Sequence, residues 1–269
     1  MILDSKNLIY KAVYHGARSF IEVFSTLEVE GWENVPNGAC LFASNHQSML
    51  DPPLIGSSLP REISFIARRT LFDNPLFGFV IQACHSIPVD RGEADIGAIR
   101  SALAALKDGE GLLIFPEGTR SQDGVIAAPK AGAGLLACRS GVPVVPIHIR
   151  GARDMLPRGA NFPLGSARIR VRFGQAMQPA EYDPGSDHAD RSIEASRRIL
   201  ERISVRRLAH RLLRPAQPES QWGHAHAEQF RHPHGGEIAV CLAQGKYSVN
   251  DKNGVPAKTS APQTIFRGT

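Results

Sequence analysis

Across residues 7–24, Ile9, Val13, Ala17, Phe20 and Phe24 recur at steps of three or four, with Lys11, His15, Arg18 and Glu22 between them. That spacing predicts an amphipathic helix. Farther on, five apolar runs end at polar residues: ACLFASN (39–45), EISFIAR (62–68), GLLIFPEG (111–118), VPVVPIHIRG (142–151) and ARIRVRFG (167–174). Each predicts a buried strand delivering its C-terminal end to a polar region. Helical stretches fall between them at 54–59, 76–84, 94–107 and 131–140, with Gly109 and Gly141 placed as stops. Strands alternating with helices predict an α/β fold, a largely parallel central sheet flanked by helices, with its site at the strand ends.

Residues 190–214 predict a basic helix striped by Ile193, Leu200, Ile203, Leu208 and Leu212. It either closes the domain with a solvated cationic face or touches lipid phosphates, at about 1 kcal/mol per charge near an anionic surface. Past residue 215 the texture turns to Pro, Gly, Gln, His and Ser, and only EIAVCLA (237–243) has the pattern of a strand. A disordered tail is expected there. Its His224, His226, His232 and His234 have metal-binding spacing, but without a nearby acidic or thiolate ligand the flexible-tail reading is preferred. The expected organisation is thus an N-terminal amphipathic, membrane-associating helix over 1–30, a globular domain over 31–214 and a tail over 215–269.

Composition narrows the partners. The 269 residues are 42% hydrophobic, enough for one large core. Cys40, Cys84, Cys138 and Cys241 stand far apart, form no C-x-x-C pair and read as buried thiols of a reducing compartment. No stretch reads as a signal peptide. A net charge of +5 and a pI near 9.2 favour anionic partners. Nucleic acid is set aside because no binding motif accompanies that charge. The apolar parts of the first 25 residues are interrupted by Lys11, His15 and Arg18, and no run of 18 apolar residues exists, so membrane contact is expected to be peripheral. The helix over 7–24 either covers the protein's own core or lies in lipid headgroups with its cations outward.

The chemistry starts at NHQSMLDPP, residues 45–53, where an imidazole stands five residues ahead of a carboxylate. On a straight helix that interval turns the side chains about 140° apart, so one regular helix cannot hold them together. Pro52 steers Asp51 out of the α region and suits a first helical turn, which makes 46–51 a strand-to-helix connection. There Asp51 can fold back onto one ring nitrogen of His46 and leave the other to take a proton, the orienting half of a triad whose nucleophile belongs to the substrate. The plainer reading has Asp51 capping the next helix and His46 as a bonded turn residue. Ser48, as a nucleophile, lacks the G-x-S-x-G elbow.

FPEGTRS (115–121) follows another apolar strand: Gly118 permits a tight turn and Arg120 can fork onto phosphate oxygens. A buried Glu117 would need partners, substrate hydroxyls or an arginine. Arg91 follows the apolar IPV of IPVDRGE, and Lys130 opens a small-residue helix, a seat suited to an anion. Taken singly, each of these loops and cations is also compatible with an ordinary surface.

In this order the segments resemble the glycerolipid acyltransferase family that includes bacterial 1-acylglycerol-3-phosphate acyltransferases. Asn45, His46, Ser48 and Asp51 match its N-H-x-S-x-x-D block, Asp90 and Arg91 its D/N-R pair, FPEGTRS its third block and VPVVPI (142–147) its fourth, with Lys130 in its K-x-G segment. The likeness runs over about 31–174. It implies that His46, oriented by Asp51, deprotonates a lysophospholipid hydroxyl attacking an acyl thioester, with acyl-coenzyme A or acyl carrier protein as donor and neither cofactor nor metal. Arg91, Glu117, Gly118, Thr119, Arg120 and Lys130 would seat the glycerol phosphate, and 142–147 would shape an acyl or thioester pocket. The expected product is phosphatidic acid, formed at the cytoplasmic face of a membrane. Glycerol 3-phosphate, another lysophospholipid or a lyso-aminolipid are the alternative acceptors, and thioester hydrolysis the alternative reaction.

Overall fold

In this computed structural model the described residues are 5–90, 95–160, 162–212, 239–243 and 246–250. The chain divides into two compact units, Met1–Arg214 and Pro215–Thr269.

The first unit runs α1 (Ser5–Phe24), β1 (Ser25–Glu30), β2 (Cys40–Ser44), α2 (Asp51–Ser57), β3 (Ile63–Arg68), α3 (Pro75–Ala83), β4 (Ser86–Val89), α4 (Ile96–Lys107), β5 (Gly111–Ile114), α5 (Ala131–Ser140), β6 (Val144–Arg150), α6 (Ala152–Met155), β7 (Ala167–Phe173), α7 (Pro179–Tyr182) and α8 (Arg191–Leu212). Its seven strands form one sheet ordered β1-β7-β6-β2-β5-β3-β4, in which β6 and β7 make the antiparallel pair and every other pair is parallel. The central β2 is buried along its whole length, so it reads in the sequence as an unbroken apolar run. Leu41 and Ala43 face the layer formed by α4, α5 and α8, while Cys40 and Phe42 face the α1–α2 side.

Two strands of the first unit escape the sequence pattern. β1 (STLEVE) alternates at the sheet edge and is held to β7 by Glu28–Arg170 and Glu30–Arg172 ion pairs, each at 2.5 Å, so charge stands where hydrophobicity was sought. β4 has four residues, too few to establish a period. The expected strand over 111–118 ends at Ile114, because Pro116 and the turn at Gly118, with φ +65°, leave the extended conformation.

α1 corrects the expected stripe. It buries Tyr10, Tyr14 and Ile21, a stripe rolled from the expected one, while Phe20 is exposed. The Tyr10 and Tyr14 rings stack at 4.2 Å, Tyr14 stacks on Phe65, and the Tyr10 hydroxyl accepts the Ile63 amide at 3.0 Å. Tyr14 lies so close to α2 that a Cβ on Gly56 would come within 1.9 Å of its ring. The helix therefore packs on the core of the first unit, the first of the two readings its sequence left open.

α8 buries Ala195, Ile199 and Ile203 against α5 and the sheet. Arg191 binds Asp183, Arg197 binds Glu194 and Glu201, Arg198 binds Glu194, and Arg202 binds Glu181. Those pairs favour the closing-helix reading for the part whose side chains are described; Leu208 and Leu212 lie outside it.

In the second unit the described residues form β8 (Ala239–Ala243) and β9 (Lys246–Asn250), an antiparallel pair that includes most of the expected strand. The rest of the tail, with its four histidines, lies outside the described residues.

Candidate active site

The site forms where β2 and β5 end side by side. Past Ser44, Asn45 extends the sheet with its side chain: Oδ1 accepts the Ile149 amide at 2.8 Å and Nδ2 donates to the Ile149 carbonyl at 2.9 Å. The chain then leaves the sheet, and His46 Nδ1 lies 2.8 Å from Asp51 Oδ2. α2 begins at Asp51 with Pro52 and Pro53 behind it, which holds the carboxylate at the turn. The same Oδ2 accepts the amides of Gln47 (2.6 Å) and Ser48 (2.8 Å), so the six-residue turn closes on one oxygen. Asp51 thus bonds back into the loop before it and does not cap the helix that follows.

Asp51 is fully buried and His46 is 8% exposed. An ionised carboxylate only accepts, so the ring donates through Nδ1 and keeps a lone pair on Nε2. The Phe115 ring stacks on the imidazole with centroids 3.9 Å apart and planes 14° from parallel, fixing the remaining rotation. Neither Asn45 nor Phe115 was assigned a separate role from the sequence: an amide completing a neighbour's ladder and a ring stacked across a strand gap leave no local pattern. Ser48 Oγ donates to the Leu156 carbonyl at 2.7 Å and accepts the Leu50 amide at 3.2 Å, a structural bond for the residue weighed as a nucleophile.

The loop after β5 is sewn to the His46 turn. Glu117 Oε1 accepts the His46 amide at 2.8 Å, Glu117 Oε2 accepts the Ala127 amide at 2.9 Å, and the His46 carbonyl accepts the Ser121 amide at 2.8 Å. Glu117 is 2% exposed, and burial pushes its carboxyl above the ordinary range. Its partners are backbone amides rather than an arginine, which makes it a brace between the two loops.

Gly118 takes a positive φ and lies beneath the Lys130 stem: a Cβ there would stand 2.9 Å from Lys130 Cδ. The Lys130 amide donates to the Pro116 carbonyl at 2.8 Å, joining residues that are distant in sequence. Thr119 and Arg120 are half-buried on this loop, and Lys130 is exposed beside it. Arg91 lies outside the described residues, while Asp90 accepts Arg69 Nε at 2.6 Å.

Ser196 of α8 is a further residue that the sequence does not mark. Its Oγ accepts the Gly134 amide and donates to the Lys130 carbonyl, each at 2.7 Å, so it stands within the first helical hydrogen bond of α5. At Gly134 the helices touch so closely that a Cβ would lie 2.0 Å from the Ser192 carbonyl oxygen.

Fold and site together define an α/β protein with an aspartate-oriented imidazole at the C-terminal edge of a mainly parallel sheet. Residues 26–150 match the Acyltransferase family. Over 181 residues it is 30% identical to a chloroplastic 1-acyl-sn-glycerol-3-phosphate acyltransferase of Brassica napus, covering 66% of this chain and 52% of that one. An N-acylphosphatidylethanolamine synthase of Arabidopsis thaliana is 31% identical over 196 residues, 66% of each chain. The crystal structure of the 1-acyl-sn-glycerophosphate acyltransferase PlsC from Thermotoga maritima superposes with a TM-score of 0.64 at 26% identity, covering 79% of this chain and 83% of that one. The chain spans about half the length of several curated relatives it matches.

Proposed function

We propose that this chain transfers a fatty acyl group from an acyl thioester to the free hydroxyl of 1-acyl-sn-glycerol 3-phosphate, giving phosphatidic acid. The observation that carries the reading is the 2.8 Å contact between His46 Nδ1 and buried Asp51 Oδ2, which leaves Nε2 as the base. His46 Nε2 takes the hydroxyl proton as the acceptor oxygen bonds to the thioester carbonyl carbon. The tetrahedral centre collapses by breaking the carbon–sulfur bond, and the thiolate leaves as a thiol with the proton from the imidazolium. Asp51 keeps the ring in one tautomer and offsets its transient charge. The acceptor phosphate is assigned to the Gly118–Arg120 turn with Arg91 and Lys130. Coenzyme A or acyl carrier protein supplies the thioester, with no cofactor. The reaction is placed at the cytoplasmic surface of a membrane; no helix among the described residues is long and apolar enough to cross one.

The test is mass spectrometry of products formed from mixed acceptors (1-acylglycerol 3-phosphate, glycerol 3-phosphate, other lysophospholipids and an amine-headed lipid) with each thioester donor. Phosphatidic acid as the main product supports the reading. Thioester consumption unchanged by any acceptor, with free fatty acid released, rejects it in favour of hydrolysis.

A further inference from the structure

We propose that the strand-end edge of the sheet is itself a lipid-docking surface, with the segment from Arg69 through α3 as its main contact and α1 contributing only its C-terminal end. The inference rests on the reading that the acceptor is a lipid, and it names the surface through which that lipid is met.

The strands β2 to β6 are mutually parallel, so their C-terminal ends share the sheet edge at which His46 follows β2. The connections leaving those ends carry exposed, large apolar side chains. Met49 follows β2; Leu71, Leu76 and Phe77 follow β3; Phe162 and Leu164 follow β6. Leu76 is 76% exposed and Leu164 71%. α1 reaches the same edge, because Ser25, directly after it, pairs with Ala167 at the start of β7. There Val23 is exposed, and Phe162 packs edge-on against Phe20 and Phe24. Isolated exposed apolar residues are ordinary, whereas their gathering at one edge of the sheet marks an interaction surface. The opposite edge is built differently. Arg61 binds the carbonyls of Pro36, Asn37, Gly38 and Gly109, and Glu110 accepts the Ser64 hydroxyl.

Charge selects the occupant. Arg68, Lys130 and Arg158 are exposed at the strand-end edge. Among its acids, Asp90 and Asp95 are engaged by Arg69, and Asp123 is folded onto Ser121 and the Val125 amide. Among the described residues, Asp73 and Asp154 are its other exposed acids, together with Glu22 on α1, which pairs with Arg18. Cations interleaved with apolar side chains suit anionic headgroups over acyl chains. This orientation differs from an α1 lying flat in headgroups, since its Tyr10–Tyr14–Ile21 face is occupied by the core.

Sedimentation of the 269-residue chain with vesicles of equal parts phosphatidylcholine and phosphatidylglycerol tests the surface, with Leu76→Asp/Phe77→Asp and Leu164→Asp as site-edge variants. Trp32→Asp, at an exposed position on the opposite edge, is the control. We expect each site-edge variant to lower vesicle partitioning about tenfold or more, with Trp32→Asp unchanged. Should the double variant fail to fold by thermal melting, Leu164→Asp decides. Parental pelleting of a folded site-edge variant overturns the surface, as does an equal loss in Trp32→Asp. Failure of the unaltered chain to bind protein-free vesicles overturns it too and leaves a protein partner as occupant. Turnover of a short-chain, water-soluble acceptor, followed in parallel, separates the two readings: its absence in the unaltered chain rejects acyl transfer without altering the vesicle result.

Discussion

His46 and Asp51 function as one unit because three donors, the imidazole N–H and the amides of Gln47 and Ser48, meet at a single carboxylate oxygen. Replacing Asp51 by Asn keeps the shape but puts a donor or a weaker acceptor against Nδ1. We expect kcat to fall by about 10²- to 10⁴-fold with acceptor KM little changed, and His46→Ala to remove turnover. Steady-state kinetics over a range of acceptor concentrations checks both. Glu117 allows a prediction in pH. Its folded-state carboxyl titrates above the unfolded value near 4.5, so the folded state binds the extra proton and this residue's contribution to stability declines as pH rises from about 4.5 through the raised folded value. Glu117→Gln should remove that decline in melts recorded against pH, with the parent chain as reference. The His–Asp pair was readable in sequence because a five-residue interval excludes one regular helix through both, although α2 begins at Asp51 itself and not after it. The roles of Asn45 and Phe115 were not, because each depends on a partner reached only across the sheet.

Between elements, the joint of α5 and α8 sets where Lys130 stands. The buried Ser196 hydroxyl serves two backbone groups that its loss would leave unpaired. Ser196→Ala should cost about 1–3 kcal/mol and raise acceptor KM more than it lowers kcat, as shown by denaturant melts alongside kinetics. A purely structural role would lower stability and leave KM alone. Acid should loosen the start of α8 as well. Glu194, held by Arg197 and Arg198, titrates at about 2 instead of 4.5, so the stability it contributes is full above the unfolded value and is lost as pH falls toward 2. Glu194→Gln should flatten the acid limb of a thermal-stability profile. Helices α2 to α5 were visible in the sequence to within a few residues through their apolar spacing and flanking Gly and Pro. β1 and β4 were not, one being sealed by ion pairs and the other too short to show a period.

On the scale of the whole molecule, α1 joins the core. Deleting residues 1–24 would expose the apolar surface covered by Tyr10, Tyr14 and Ile21. We expect the truncated chain to lose cooperative unfolding, and Ile21→Ala in the full chain to cost about 2–5 kcal/mol, both measured by circular dichroism against denaturant. Retention of a sharp transition after truncation would return α1 to the role of a detachable anchor.

Local sequence alone determined the alternation of strand and helix, the α/β class and the break between strand and helix over residues 46–51, because apolar period and proline geometry act over a few residues. Tertiary structure alone decided which face of α1 is buried, that Glu117 braces two loops, that Ser196 reaches Lys130, and that exposed apolar side chains from separate connections share one edge. Those outcomes depend on which distant segments become neighbours in the sheet, and hydrogen bonds or packing across such gaps leave no periodic trace along the chain.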